Sequence, residues 1–569
     1  MLRIRVVTGT LLCVLGGWIP AARAGPVDLR LSNARGLHGP TADVRDAAGG
    51  TLVAWHVVRP GTGADIVLHR IGAGGAAAGA WKVADVLVCG AAGDQWHPAI
   101  AGDGAGGAYV VWEDARAAVA DGAGARSDIY AHHVDADGLL DPRWPAAGRR
   151  IGREHGLELN PVVVEDGAGG IWIAWDDLSG ETGRVLARHV DGAPDRGRFD
   201  SPPTIVCAAA DEQDSPVLVA DSVGTVLVVW RDHRASDHAT LCATRLLASG
   251  AADPRWPREG LVVSGGGDVA DPAARPDGNG GAWIAWTERR TDDGDVFAQH
   301  VLASGVADPA WAAAGVAVCA APGSQDAPTL LDDGRGGVVL AWQDGRVAGQ
   351  QNVYATRLLA SGARDPAWAK DGIAVSTAAA WQVGPRIVTD REGGTLVTWL
   401  DGREAAPTRA YAGRVLASGV VDPAWEKGGI AFGAAADGAP ALVPDGQGGA
   451  LATWHTLDGT WANGIDTDGP SGHVRALWTL GFAAPAPNPS SHHVRFAFTL
   501  PVRERVLLEV FDIAGRRVTT LENGVGDAGP HQVRWDLRAG DGHRVYSGVY
   551  FARLAVPDRV LNRRIVVIQ

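Results

Sequence analysis

The chain has 569 residues, 46% hydrophobic and 20% charged, too long for one ordinary core and too apolar for a disordered chain. Its formal net charge of -14 argues against nucleic acid or an anionic membrane surface as the main partner, because either favours a basic face. The 78 glycines and 22 tryptophans point to many short strands joined by tight turns, hence an all-β fold.

In chain order, the first element is a targeting segment. Arg3 and Arg5, an apolar stretch from Val6 to about Pro20 and the small-residue site Ala22-Arg23-Ala24 make residues 1–24 a secretory signal peptide, cut near Gly25. Leu11 and Leu12 precede Cys13, where a lipoprotein signal needs a small residue, so no lipid anchor is expected. The mature chain is therefore expected to be exported. No later apolar run is long enough to span a membrane.

Residues 25–480 repeat. Asp46, Asp103, Asp166, Asp221, Asp277, Asp333, Asp390 and Asp445 stand nine residues before Trp55, Trp112, Trp175, Trp230, Trp286, Trp342, Trp399 and Trp454. One supersecondary unit of about 56 residues is therefore copied eight times. In residues 325–376, a strand led by Pro328 enters Asp333-Gly334-Arg335-Gly336-Gly337 and leaves as Val338-Val339-Leu340-Ala341-Trp342. Aspartate can bond the next backbone amides and glycine can adopt positive φ, so this is a hairpin. The run before the tryptophan is apolar without alternation, which predicts a sheet covered on both faces. Asn352 to Leu358 and Gly372 to Ser376 supply third and fourth strands. These features predict an eight-bladed β-propeller over residues 25–480, with a lone strand at Val27 to Leu31 bracing the last blade.

Several repeated motifs resemble binding chemistry. Five units continue past the tryptophan as acid-x-Arg (Asp114 and Arg116, Asp232 and Arg234, Glu288 and Arg290, Asp344 and Arg346, Asp401 and Arg403). Fivefold copying favours a local ion pair that orders a loop over a ligand grip. The Asp-Gly turns supply one carboxylate each, too few for calcium, and no metal or cofactor is expected. Trp144, Trp256, Trp311, Trp368 and Trp425 end Asp-Pro-x-Trp motifs and suit packing on the next blade better than stacking on sugars. Gln95, Gln213, Gln325 and Gln382, three residues before a unit's proline, are candidate ligand contacts on axial loops. His56 and His455 replace the residue after the tryptophan in the first and last units, neighbours in a closed ring, and form a candidate seam site. Cys89, Cys207, Cys242 and Cys319 are expected to be buried free thiols.

A proline-rich linker, residues 481–489, ends the repeat. Residues 490–569 read as six further strands of a small β-sandwich. Phe496-x-Phe498-x-Leu500-Pro501, Asp512-x-x-Gly515-Arg516, Trp535-Asp536 and Ser547-Gly548-Val549-Tyr550 lie in it in order. Together with Pro487-Asn488-Pro489, this pattern resembles the immunoglobulin-like module of the flagellar hook-capping family. It is also similar to the type A C-terminal sorting domain of proteins exported by the type IX secretion system. The resemblance implies an immunoglobulin-like module that addresses its cargo to type IX-like outer-membrane secretion machinery, and hence a chain that passes through the periplasm of a Gram-negative-type bacterium to be secreted or held at the cell surface.

No asymmetric catalytic cluster emerges, so the leading expectation is a non-enzymatic propeller that binds a protein or glycan. The alternative is an extracellular polysaccharide hydrolase or lectin using the channel face, which for hydrolysis needs two acids at a defined separation.

Overall fold

The structure, a computed structural model, describes residues 29–568. Excepted are 33–36, 47–48, 60–62, 73–84, 118–125, 153–155, 193–201, 222–223, 235–237, 291–292, 404–407, 471–480, 501–503, 527–528, 557–558, 435, 447, 458, 468 and 484. The signal peptide and residues 474–480 lie outside the described residues.

Among the described residues the repeat forms eight antiparallel sheets, one for each Asp-to-Trp unit. In the sixth, Gln325–Asp332, Val338–Asp344, Asn352–Leu358 and Ile373–Ser376 pair in chain order. The unbroken apolar run of its second strand divides between two cores. Leu340 and Trp342 pack with residues of the fifth sheet, whereas Val339 and Ala341 pack with residues of the seventh. A strand buried on both faces has no reason to alternate.

The first strand of each sheet lies against the first strand of the next, and Ala441–Pro444 of the eighth returns to Ala42–Arg45 of the first. The first strands thus ring a common axis in a propeller-like arrangement. The N-terminal segment closes it: Leu29–Arg30 pairs with Gly459–Asp466, Leu29 opposite Ala462, as the outer strand of the eighth sheet.

The turn aspartates hold the hairpins, and in seven of the eight units the carboxylate has two duties. Asp333 Oδ1 accepts from the amides of Arg335 (2.6 Å) and Gly337 (3.0 Å), while Oδ2 accepts from Arg357 Nε of the third strand (2.7 Å). The same cross-strand contact joins Arg70 to Asp46, His133 to Asp103, His189 to Asp166, Arg245 to Asp221, His300 to Asp277 and Arg414 to Asp390. These turns mark one end of the axis. The opposite end carries a bulge in the first strand of the second to seventh sheets, where the register shifts. The residue before the proline there takes positive φ: His97, Asn160, Ser215, Asp271, Ala327 and Gly384, between 46° and 63°. Only the last is a glycine, so five positions hold a backbone conformation that L residues avoid.

Residues 481–567 form a three-stranded and a four-stranded sheet around one core that includes Phe482, Phe496, Val510, Trp535 and Ile565. The boundary read from the sequence shifts. Gly481–Phe482 pairs with Val494–Leu500, Phe482 is buried, and Asn488 accepts from the Val566 amide (2.7 Å). The segment 481–489 is therefore part of this unit rather than a free linker, since its one aromatic side chain is needed to fill the core.

Candidate functional site

The motifs that recur are consumed by the frame. Trp342 Nε1 donates to Asp344 Oδ2 (2.8 Å) and Arg346 Nε to Asp344 Oδ1 (2.7 Å). Arg346 Nη2 then reaches the Asp371 carbonyl (2.8 Å), and its guanidinium lies 3.8 Å from the Tyr354 ring centre. Asp114 with Arg116, Asp232 with Arg234, Glu288 with Arg290 and Asp401 with Arg403 repeat the ion pair. Trp55, Trp175 and Trp454, in the three units lacking acid-x-Arg, have an indole nitrogen without a partner among the described residues. In the third unit Asp177 keeps the acid without the arginine and accepts from the Ser179 amide instead (3.0 Å), so the acid serves as the tryptophan's acceptor in the five units where an arginine holds it. Trp144, Trp256, Trp311, Trp368 and Trp425 are only 4–6% exposed, and a Cβ on Gly362 would stand 2.9 Å from the Trp311 ring. They wedge against the following sheet and offer no face to a sugar.

Gln95, Gln213, Gln325 and Gln382 do not reach solvent. Each is fully buried. Gln95 Nε2 donates to the Gly93 carbonyl (3.0 Å) and Gln382 Nε2 to the Ala378 carbonyl (2.9 Å), so these side chains tie down their own loops. The four described cysteines are free and buried, and burial pushes the Cys242 thiol up to about 12.

The residues that differ between units collect at the bulge end. The position after the repeat tryptophan is His56, Glu113, Asp176, Arg231, Thr287, Gln343, Leu400 and His455 in turn. Several of these lash one unit to the next. Glu113 bonds His97 Nδ1 (3.0 Å) of its own sheet and accepts from the Asn160 amide (2.8 Å) of the following one. Asp176 accepts from Asn160 Nδ2 (2.8 Å) and from the Ser215 amide (3.0 Å), and Gln343 accepts from the Gly384 amide (2.7 Å). Sequence reasoning noticed this position only at the two histidines; its signal was a fixed place with no fixed residue.

Where the eighth, first and second sheets meet, four histidines converge. His56 sits edge-on to Trp96 (4.6 Å between ring centres) and 6.4 Å from the His97 ring, in a space that a Cβ on Gly39 would invade at 1.9 Å. Its Nδ1 is buried without a partner among the described residues. His38 Nδ1 bonds Thr460 Oγ1 (2.9 Å). Burial lowers the His56 pKa to about 4, and the nearby charges of His97, His455 and His38 add to the effect. The bond to Glu113 raises that of His97, whose side chain is 62% exposed. His455 is lowered by burial. The structure thus brings the two seam histidines together and adds His38, His97, Trp96 and Glu113. No group of three or more His, Cys, Asp or Glu able to hold a metal occurs among the described residues. Two acids are also shifted: burial lifts Asp43 to about 7 and Asp176 to about 6, the latter helped by the charge of Asp214.

In the C-terminal unit the motif residues build turns and core. Asp512 Oδ1 accepts from the amides of Ala514 and Arg516 (both 2.9 Å), its Oδ2 from Arg516 Nε (2.8 Å), and Gly515 supplies φ 75°. Trp535 Nε1 donates to the Arg538 carbonyl (2.8 Å), Asp536 Oδ1 accepts from the Arg538 amide (3.2 Å), and Tyr550 OH donates to the Tyr546 carbonyl (2.9 Å). Ser547 leads into the strand Gly548–Val556, which carries Val549 and Tyr550.

No protein-family model matches the chain, and no curated protein matches it. Among solved structures it is similar to a puromycin hydrolase, at 15% identity and a TM-score of 0.39, over 74% of this chain and 59% of that one. The chain thus spans about three-fifths of that hydrolase. It is similar also to an ulvan lyase of polysaccharide lyase family PL25, at 10% identity and a TM-score of 0.40, over 68% of this chain and 94% of that one. A third similarity is to PorZ, a bacterial surface component of the type IX secretion system of Porphyromonas gingivalis, at 11% identity and a TM-score of 0.20, over 93% of this chain and 81% of that one. At such scores these likenesses carry no functional argument.

Proposed function

We propose that the chain is an exported eight-bladed β-propeller that binds a protein or glycan at the bulge end of its axis. Its C-terminal unit would be an immunoglobulin-like module of the sorting type, addressing the propeller through outer-membrane machinery to the cell surface or medium. One observation carries the binding reading: the repeated polar side chains are bonded within the frame, whereas unlike residues gather around His56, His97 and Trp96. A protein that spends its regular residues on packing keeps its irregular ones for recognition. The test is a panel of polysaccharides and surface proteins scored for binding to the mature chain. His97→Ala removes an exposed side chain and is expected to weaken the best hit by about tenfold, as loss of a hydrogen-bonding contact should. An unchanged affinity moves the site elsewhere.

A further inference from the structure

The register between first and second strands aligns the eight first strands in layers. Take the position opposite the residue before the repeat tryptophan, and the position two residues further on, which shares its face. In the first layer, seven of the eight residues are alanine, valine or threonine and the eighth is Arg386, opposite Thr398. In the second, seven are valine, alanine or leucine and the eighth is Arg275, opposite Trp283. Two cations thus stand in two otherwise uncharged layers of the ring, on the fifth and seventh sheets, with the first strand of the sixth packed between them.

Neither has a carboxylate partner among the described residues. Arg275 Nη1 donates to the Ala274 carbonyl (3.1 Å) and Arg386 Nη1 to the Pro385 carbonyl (3.1 Å), both on their own strands. Asp271, on the same strand as Arg275, accepts from Thr287 Oγ1 (3.1 Å), and on the intervening strand Asp326 accepts from Ser324 Oγ (3.0 Å) and Asp332 from the Gly334 amide (3.0 Å). Both arginines are solvent-exposed, yet surrounding protein lowers the pKa of each, and the charge of Arg386 lowers that of Arg275 further. Exposure together with desolvation describes a wet, walled space. Two like charges kept there disfavour the empty state, and elsewhere in this molecule the repeat arginines are matched to acids.

We infer that Arg275 and Arg386 form an anion site on the axial wall, which takes an oxyanion group, carboxylate or sulfate, between the fifth and seventh sheets. A guanidinium offers paired donors that match such a group, and low local dielectric strengthens the contact. The site lies away from the histidine cluster and does not rest on the ligand reading given above.

The experiment uses the full mature chain with two probes, sodium sulfate and tetragalacturonate, followed by calorimetry and thermal melting. Sulfate is expected to bind and raise the wild-type Tm, with an affinity that drops at least about tenfold in Arg275→Gln/Arg386→Gln, and to bind more weakly as sodium chloride is added. The double variant loses a repulsion, so it should melt no lower than wild type, and Arg386→Lys, which keeps the charge, should retain part of the binding. Tetragalacturonate binding tighter than sulfate would mark a glycan-borne carboxylate. Equal binding would mark a free small anion; either supports the site. Absence of binding by the wild type to both probes, or undiminished binding by the double variant, overturns it.

Discussion

Asp43 and His56 carry the two largest described shifts at the seam, and they pull stability in opposite directions with pH. Asp43 titrates near 7 in the fold against 3.8 ordinarily, so between these values the folded chain holds a proton that the unfolded chain has lost. Its stability contribution is therefore lost as pH rises through that window. Asp43→Asn keeps a partner for Thr453, and its stability advantage over wild type is expected to grow from pH 4 to 7, reaching on the order of 2–4 kcal/mol in denaturant melts. His56 titrates near 4 against 6.5, so the unfolded chain binds the extra proton, and stability falls as pH drops from 6.5 to 4. The wild type's advantage over His56→Gln should shrink by on the order of 2–3 kcal/mol across that interval, in melts followed by circular dichroism. A difference that stays flat with pH would mean that His56 is open to water. His97 works the other way, its raised pKa favouring the fold at low pH, so the variant comparison rather than the raw melt isolates His56.

At the scale of elements, the unit is a hairpin locked by an aspartate, a tryptophan held by the acid two residues on, and a glycine that lets the tryptophan in. Gly148, Gly260, Gly315, Gly372 and Gly429 all have positive φ, and a Cβ on each would approach its repeat tryptophan at 2.4 to 2.6 Å. Gly372→Ala should therefore cost about 2 kcal/mol or more, through strain and displacement of Trp342. Trp342→Ala, which empties a fully buried site between two sheets, should cost about 3–5 kcal/mol in denaturant melts. The hairpins, the two-faced burial of the second strands and the ion-pair role of acid-x-Arg were legible in the sequence because each depends on residues a few positions apart. The fate of Gln95 and its three counterparts was not. Polar residues at a loop look available until the loop folds over them, and only the assembled bulge end buries them completely.

For the whole molecule, closure rests on two residues of strand at the N-terminal end. Leu29–Arg30 gives the eighth sheet its outer strand, and contacts such as His38 with Thr460 and Thr41 with Thr453 sew the first unit to the last. A chain starting at residue 37 is expected to expose the edge of Gly459–Asp466, to melt several degrees lower and to oligomerise on light scattering, because an unpaired edge recruits another strand. For the sorting reading the deletion must begin at residue 481, since Phe482 belongs to the C-terminal core. That truncation should leave a folded repeat in the periplasm, and normal surface delivery of it would refute the address.

By itself the sequence determined the all-β class, the eightfold unit, the hairpin chemistry and the bracing role of the N-terminal strand, because periodicity and turn residues act locally. The tertiary structure alone decided which irregular residues meet. His38 and His97 join His56, Arg275 comes near Arg386 across a neighbouring sheet, and residues 481–489 pass from linker to core. Those outcomes depend on ring closure and on burial, and burial belongs to the assembled molecule rather than to any stretch of chain.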